Sequence, residues 1–196
     1  TENSTGGTAV SDNFYLMKQN GSLLNLNADI EATLSIQNSN GWNLIGNPYL
    51  ASIDWTHESW NFSNLQSPSA YIFDPSTRSY ITLQNDGTTI PSGGSTQIAP
   101  MQGFFVDAIS ASNFVIPKAA RSNLSSSFFK SATTDASLSL SVHSNGFTDE
   151  TIIKFKPEAS NEFSIGDVRK MWASNSQIPQ IATLCEGHAL AKNQLK

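Results

Sequence analysis

The side chains able to do chemistry are few and scattered. Histidine stands at positions 57, 143 and 188, and the one thiol is Cys185. Nucleophilic catalysis needs a base beside the nucleophile, usually histidine, and no serine lies in the Gly-x-Ser-x-Gly elbow that would expose it above a sheet. His143 falls on the polar side of an alternating segment, and His188 follows Glu186-Gly187 in a turn, so both read as solvated residues. His57 sits in Asp54-Trp55-Thr56-His57-Glu58 with carboxylates on either side. Without a recognised ligand spacing it reads as a loop residue. Asp54 and Glu58 form the one close acidic pair beside aromatics, which a glycosidase would need, but one such pair is slender support and no catalytic residue is assigned. Oxygen donors in Asp74-Pro75-Ser76-Thr77 and Asn85-Asp86-Gly87 make calcium a better metal candidate than zinc. The Asp-x-Asp-x-Asp-Gly order of an EF-hand is missing, so neither a metal nor another cofactor is assigned.

Aromatics offer the one binding chemistry. Trp42, Tyr49, Trp55 and Trp60 cluster in the sequence beside Asn43, Asn47, Asp54 and Asn61. Flat rings next to amides and carboxylates are how proteins hold sugars, which makes Trp55, Trp60 and Tyr49 candidate stacking platforms and Asp54 their hydrogen-bonding partner. The competing reading is that the rings are core anchors, since each buries about 150–250 Å². Exposure of the rings separates the two.

Composition narrows the field. Eleven Lys and Arg against sixteen Asp and Glu give a net charge of −5, and only 14% of the chain is charged, against roughly 25% in an average soluble domain. With no basic cluster, nucleic acid would be repelled. A hydrophobic share of 38%, with 11 Phe and 4 Trp, excludes a disordered chain. No stretch approaches the ~18 apolar residues of a membrane span. The polar Thr1 to Ser11 carries no signal peptide, so a secretory address would have been removed or lie outside this sequence. A lone cysteine rules out an internal disulfide framework, and Cys185 reads as a small buried side chain.

The positioning elements are short apolar runs closed by Gly, Pro, Asn, Asp or Ser. Asn20-Gly21, Asn40-Gly41 and Asn145-Gly146 are tight-turn dipeptides, and Asp74-Pro75 pre-sets a turn between 70–73 and 80–83. In Gly41-Trp42-Asn43-Leu44-Ile45-Gly46, alternation sends Trp42 and Leu44 to one side and Asn43 and Ile45 to the other. In Gln102-Gly103-Phe104-Phe105-Val106, Phe104 and Val106 share a side opposite Phe105, as in an inner strand covered on both faces. A Ser-, Ala- and Asn-rich stretch, 118–135, reads as a connector docking through Phe128-Phe129. Beyond it, Leu138, Leu140 and Val142 alternate with Ser139, Ser141 and His143, a strand with one buried face. Pro157 to Ile165 suits a short helical turn. The pattern predicts an all-β chain of two β-sandwich, jelly-roll-like modules, 1–117 and 136–196, the second incomplete.

Several blocks occur in an order that resembles a known family. Gly41 to Tyr49 followed by Ile53-Asp54-Trp55 is similar to the GWNLIGNPY…IDW block of large secreted Bacteroidetes proteins, which carry it before a C-terminal sorting domain read by the type IX secretion system. Tyr71-Ile72-Phe73-Asp74-Pro75 with Tyr80, Ile98 to Val106, Arg121 to Lys130, and Asn145 to Thr151 with Phe155 resemble further blocks of those proteins, in the same order. The chain departs from them at Asp167-Val168-Arg169-Lys170-Met171 and stops at Lys196, where the family runs on through more strands. The resemblance implies an extracellular or outer-surface location and a second module cut short, with an exposed sheet edge. The expected function is a non-catalytic structural or presentation region, adhesive in some contexts, with other domains of the parent protein, glycans or cell-surface polymers as partners. A carbohydrate-binding module is the first alternative and a fragment of a glycoside-active enzyme the second.

Overall fold

The computed structural model describes residues 18–19, 22–23, 27–37, 40–122 and 136–196. The first strands are β1 (Lys18–Gln19), β2 (Ser22–Leu23), β3 (Ile30–Leu34), β4 (Trp42–Gly46), β5 (Ser52–Asp54) and β6 (Ser69–Asp74). They are followed by β7 (Ser79–Gln84), β8 (Thr89–Ile90), β9 (Gln97–Ile98), β10 (Gly103–Asp107) and β11 (Ser112–Ile116). After a 3-10 turn at Lys118–Ala120 come β12 (Arg121–Ser122), β13 (Ala136–Ser144) and β14 (Phe147–Phe155). The chain ends with β15 (Val168–Arg169), β16 (Thr183–Cys185) and β17 (His188–Leu195). The described chain is thus all-β, as its turn chemistry predicts.

One five-stranded antiparallel sheet, β4-β10-β6-β7-β8, organises the molecule. Its pairing places Phe104 opposite Ile45, and Phe105 opposite both Leu44 and Tyr71. Because successive side chains alternate, Ile45, Ala70, Leu83, Phe104 and Val106 fall on one face. There they meet Leu34, Ile53, Ile98, Phe114 and Ile116 from the smaller β11-β3 and β12-β5-β9 sheets, closing a sandwich around Trp55. Tyr71 and Phe105 fall on the other face, and with Trp42, Tyr80 and Ile90 they pack against Ile152, Val168 and Ala191 of the last sheet and Met171 just beyond it. The middle sheet is therefore covered on both sides, as the Phe-Phe pair in β10 predicts. Leu44 differs from expectation: it shares the Trp42 side but is 66% exposed, because the last sheet does not reach over it.

The last sheet runs β13-β14-β17-β15, with β16 also on β17. Asn145 and Gly146, at φ 52° and 80°, turn β13 into β14, and Ser144 pairs with Phe147 across them. Both central residues with positive φ match the twist of an antiparallel pair, so this hairpin is local in origin. β17 follows a similar Glu186-Gly187 turn and then runs parallel to β14, a strand that the helix-like run Ala-Leu-Ala-Lys-Asn-Gln-Leu conceals.

Three further expectations are corrected. Residues 157–165 form turns, not a helical segment. Asn40-Gly41 is not a turn tip: Gln37 and Asn40 bridge each other, and Gly41 is instead the point where two backbones touch. A side chain there would overlap the Ala108 carbonyl oxygen. The apolar face of β13 is open, with Leu138 and Leu140 at 47% and 38% exposure. Ser137, Ser139 and Ser141 pair with Lys154, Ile152 and Glu150 and so share the side that β14 turns toward the middle sheet, but they too are exposed. Cys185 is buried, as expected. The connector's Phe128-Phe129 and the Asn20-Gly21 turn lie outside the described residues.

Candidate functional site

Alternation along β5 sends Ile53 and Trp55 inward and leaves Asp54 half-buried. Asp54 then shapes the following turn: its Oδ1 accepts from the Thr56 amide at 2.9 Å and the Thr56 hydroxyl at 2.8 Å. The turn folds Trp60 back onto Trp55, with ring centres 4.7 Å apart. Phe62, Phe104 and Phe114 complete the cluster around Trp55. Each indole N–H donates to a backbone carbonyl, Trp55 to Pro68 and Trp60 to Asp54, so both are satisfied without ligand. Trp55 is 0%, Tyr49 1% and Trp60 7% exposed.

The candidate sugar platform is thereby corrected. Stacking needs a ring face open to solvent, and Trp55, Trp60 and Tyr49 have theirs filled by protein. Asp54 is brought beside them, but its Oδ1 serves a turn. Tyr49 Oη lies 2.9 Å from the Ile116 carbonyl and 3.0 Å from that of Ala28. Burial first, then the negative charge of Asp29, pushes its phenol up to about 12 against the opposing pull of Arg121, which sits over the ring. Trp42 is the outlier of the four: it packs edge-on to Tyr71 in the second core, at 4.9 Å.

Asn47 shows what the conspicuous block does. Its Nδ2 lies 2.9, 3.1 and 2.9 Å from the carbonyls of Ala51, Ile98 and Ala99, and its Oδ1 accepts from the Tyr49 amide at 3.0 Å. The Asn47 amide donates in turn to Gln102. One 1%-exposed asparagine thus ties the Asn-Pro-Tyr turn to the β9–β10 connection, some fifty residues away in sequence.

No family model matches the chain, and neither a curated protein nor a solved structure matches it.

The histidines occupy local roles. His57 Nδ1 lies 2.8 Å from Ser59 Oγ, His143 Nδ1 lies 2.8 Å from Thr148 Oγ1 across its hairpin, and His188 stacks on Phe163. The loops raised as calcium candidates spend their carboxylates otherwise. Asp74 accepts from the Ser76 amide and hydroxyl and from the Thr77 hydroxyl. Asp86 accepts from the Thr88 amide and pairs with two lysines. Among the described residues, no three His, Cys, Asp or Glu side chains gather as a metal site.

Sequence reasoning missed the charged seam between the middle and last sheets. Asp86 Oδ2 lies 3.1 Å from Lys154 and 3.5 Å from Lys192, and Glu150 accepts from the Ser92 amide at 2.7 Å. Asp107 meets Arg169 at 2.9 Å, and Arg169 also lies over Trp42. Behind the seam, Asp149 grips Lys170 at 2.5 Å and accepts from the Ile181 amide. Burial works against ionisation of Asp86, yet Lys192, Thr88 and Lys154 outweigh it and hold the carboxyl well below its ordinary range. At Asp107 burial wins over Arg169 and raises the carboxyl. Lys192 is drawn down to about 8 by burial, with Asp86 pulling the other way. The partners across the seam stand 58 to 106 residues apart in sequence and Asp149 and Lys170 behind it 21 apart, too far for a local pattern to have paired them. These groups neutralise one another at a joint between layers, and that is a structural use of charge.

Proposed function

We propose that this chain is a non-catalytic structural and presentation region of an extracellular or cell-surface protein. The observation that carries the reading is the Asn47 junction, where three conspicuous blocks (41–49, 53–55 and 98–106) interlock in one core. Residues that stand out in the sequence are accounted for by cohesion between sheets. The resemblance to secreted Bacteroidetes proteins before a type IX sorting domain supplies the location and the kind of neighbour: other domains of a long parent chain, or surface polymers that it displays or contacts. A rigid layered unit with both faces of its middle sheet covered suits spacing and support.

The test pairs stability with activity. Trp55→Phe removes ring volume and the bond to Pro68, so its thermal midpoint is expected to fall by several degrees, with no glycan bound on an array at millimolar concentration by either protein. Hydrolysis of a polysaccharide or peptide that Glu58→Gln abolishes without lowering the midpoint would overturn the reading.

A further inference from the structure

We infer that β13 is a self-complementary edge through which two copies of this chain join into one continuous sheet. Among the described residues β13 pairs with β14 alone, which leaves a nine-residue strand with one row of amides and carbonyls unused. Exposed edges are normally blunted by lysine, proline or a bulge. Ala-Ser-Leu-Ser-Leu-Ser-Val-His-Ser holds no lysine and no proline, and its register against β14 runs unbroken.

The register defines which groups are free. Ser144 and Phe147 close a two-residue turn, which makes them a hydrogen-bonded pair. Pairs alternate from there, so Val142, Leu140, Leu138 and Ala136 bond inward to β14. The amides and carbonyls of Ser137, Ser139, Ser141 and His143 point outward. An antiparallel copy centred on Leu140 sets Ser139 against Ser141 and Ser137 against His143 of its mate. The two-fold repeats each of these two pairs, and each of the resulting four can exchange both bonds, about eight in all. The same register puts Leu140 against itself and Leu138 against Val142, on the face that the fold leaves open.

The occupant is a second copy because the strand is complementary to itself in both respects at once: outward groups meet outward groups, and apolar side chains meet apolar side chains. Charge permits it. The chain carries −5 overall, but residues 136–144 contain no Asp, Glu, Lys or Arg. Nearby, the three carboxylates Asp86, Asp149 and Glu150 stand with the three lysines Lys154, Lys170 and Lys192. One strand pair falls short of the ~800 Å² per partner of a standard stable interface, so the dimer is weak and concentration-dependent. The inference does not rest on the secretory reading.

Cross-linking reads the register directly. Leu140 is the position that faces itself, at a non-hydrogen-bonded pair with Cα atoms about 4.5 Å apart, within disulfide range. In a Cys185→Ser background, Leu140→Cys is expected to give a covalent dimer on mild oxidation. Leu138→Cys alone is expected not to, but to cross-link when mixed with Val142→Cys. Sedimentation of the unmodified chain should show mass rising with concentration. Ser139→Pro, which removes an outward amide and is tolerated on an edge, should weaken association at least tenfold with the thermal midpoint unchanged. A monomer at every concentration up to about 1 mM would overturn the inference. So would a dimer untouched by Ser139→Pro, or cross-linking at 138 alone as efficient as at 140.

Discussion

Replacing Asn47 by alanine isolates the junction between the Asn-Pro-Tyr turn and the β9–β10 connection. The side chain has two N–H groups to share among the carbonyls of Ala51, Ile98 and Ala99, and one oxygen that receives the Tyr49 amide. Of these contacts, those with Ile98 and with Tyr49 are buried and the other two partly so. A buried group stripped of its partner costs about 1–3 kcal/mol, a bond that water can replace about 0.5–1.5. Because two N–H groups are shared among three carbonyls, the low end of each range applies, and the expected loss is about 3–4 kcal/mol, or roughly 6–16 °C in midpoint at 2–4 °C per kcal/mol for a chain of this size. Urea unfolding followed by tryptophan fluorescence measures it through the buried Trp55 and Trp60, with an unchanged slope showing that stability and not compactness has moved. Asn47→Asp sharpens the test. Its oxygen still accepts from Tyr49, but a second oxygen now faces carbonyls, so the variant should be at least as unstable at neutral pH and recover in part once the acid is protonated and can donate. An Asn47→Ala protein within about 0.5 kcal/mol of the parent would refute the claim that this side chain holds the blocks together.

Gly41→Ala must push apart two backbones, since the added carbon overlaps the Ala108 carbonyl oxygen and approaches Asp107 Oδ1 to 2.7 Å. A loss of about 1–3 kcal/mol in chemical denaturation is expected, the usual range for overpacking. The seam carboxylates should respond to pH with opposite signs. Asp86 is depressed in the folded state, so its contribution is present above the unfolded value near ~3.9 and fades as pH falls below it. Asp86→Asn therefore costs more at pH 7 than at pH 3. Asp107 is raised, so the fold favours its protonated form and loses stability as pH climbs from the unfolded value through the folded one. Asp107→Asn consequently compares better with the parent at pH 7 than at pH 3, read from unfolding midpoints across that range.

Fold class was legible because short-range chemistry sets it. Asn145-Gly146 takes two positive φ angles between the paired strands β13 and β14, and Gly103-Phe104-Phe105-Val106 cannot hide both rings unless the strand is covered twice. Both signals belong to the backbone and the side-chain alternation of a few residues. The β17 strand was not legible, since its run favours a helix and only the β14, β15 and β16 backbones around it make it extended. The aromatic block was legible as important but ambiguous in kind: a tryptophan suits a sugar face and a core equally well. The Asp54 turn, which lays Trp60 on Trp55, decides the matter.

By itself, then, the order of residues determined the all-β class, the β13–β14 turn, and which side chains share a face along β4 and β10. Tertiary structure alone decided that Trp55, Trp60 and Tyr49 are interior, that the leucine side of β13 is left open, and that Asp86, Asp107 and Glu150 meet their partners across a seam. The reason is range. Alternation and turn preference act over a few residues, whereas burial and ion pairing depend on which distant surface arrives opposite, and only the packed sheets supply that surface.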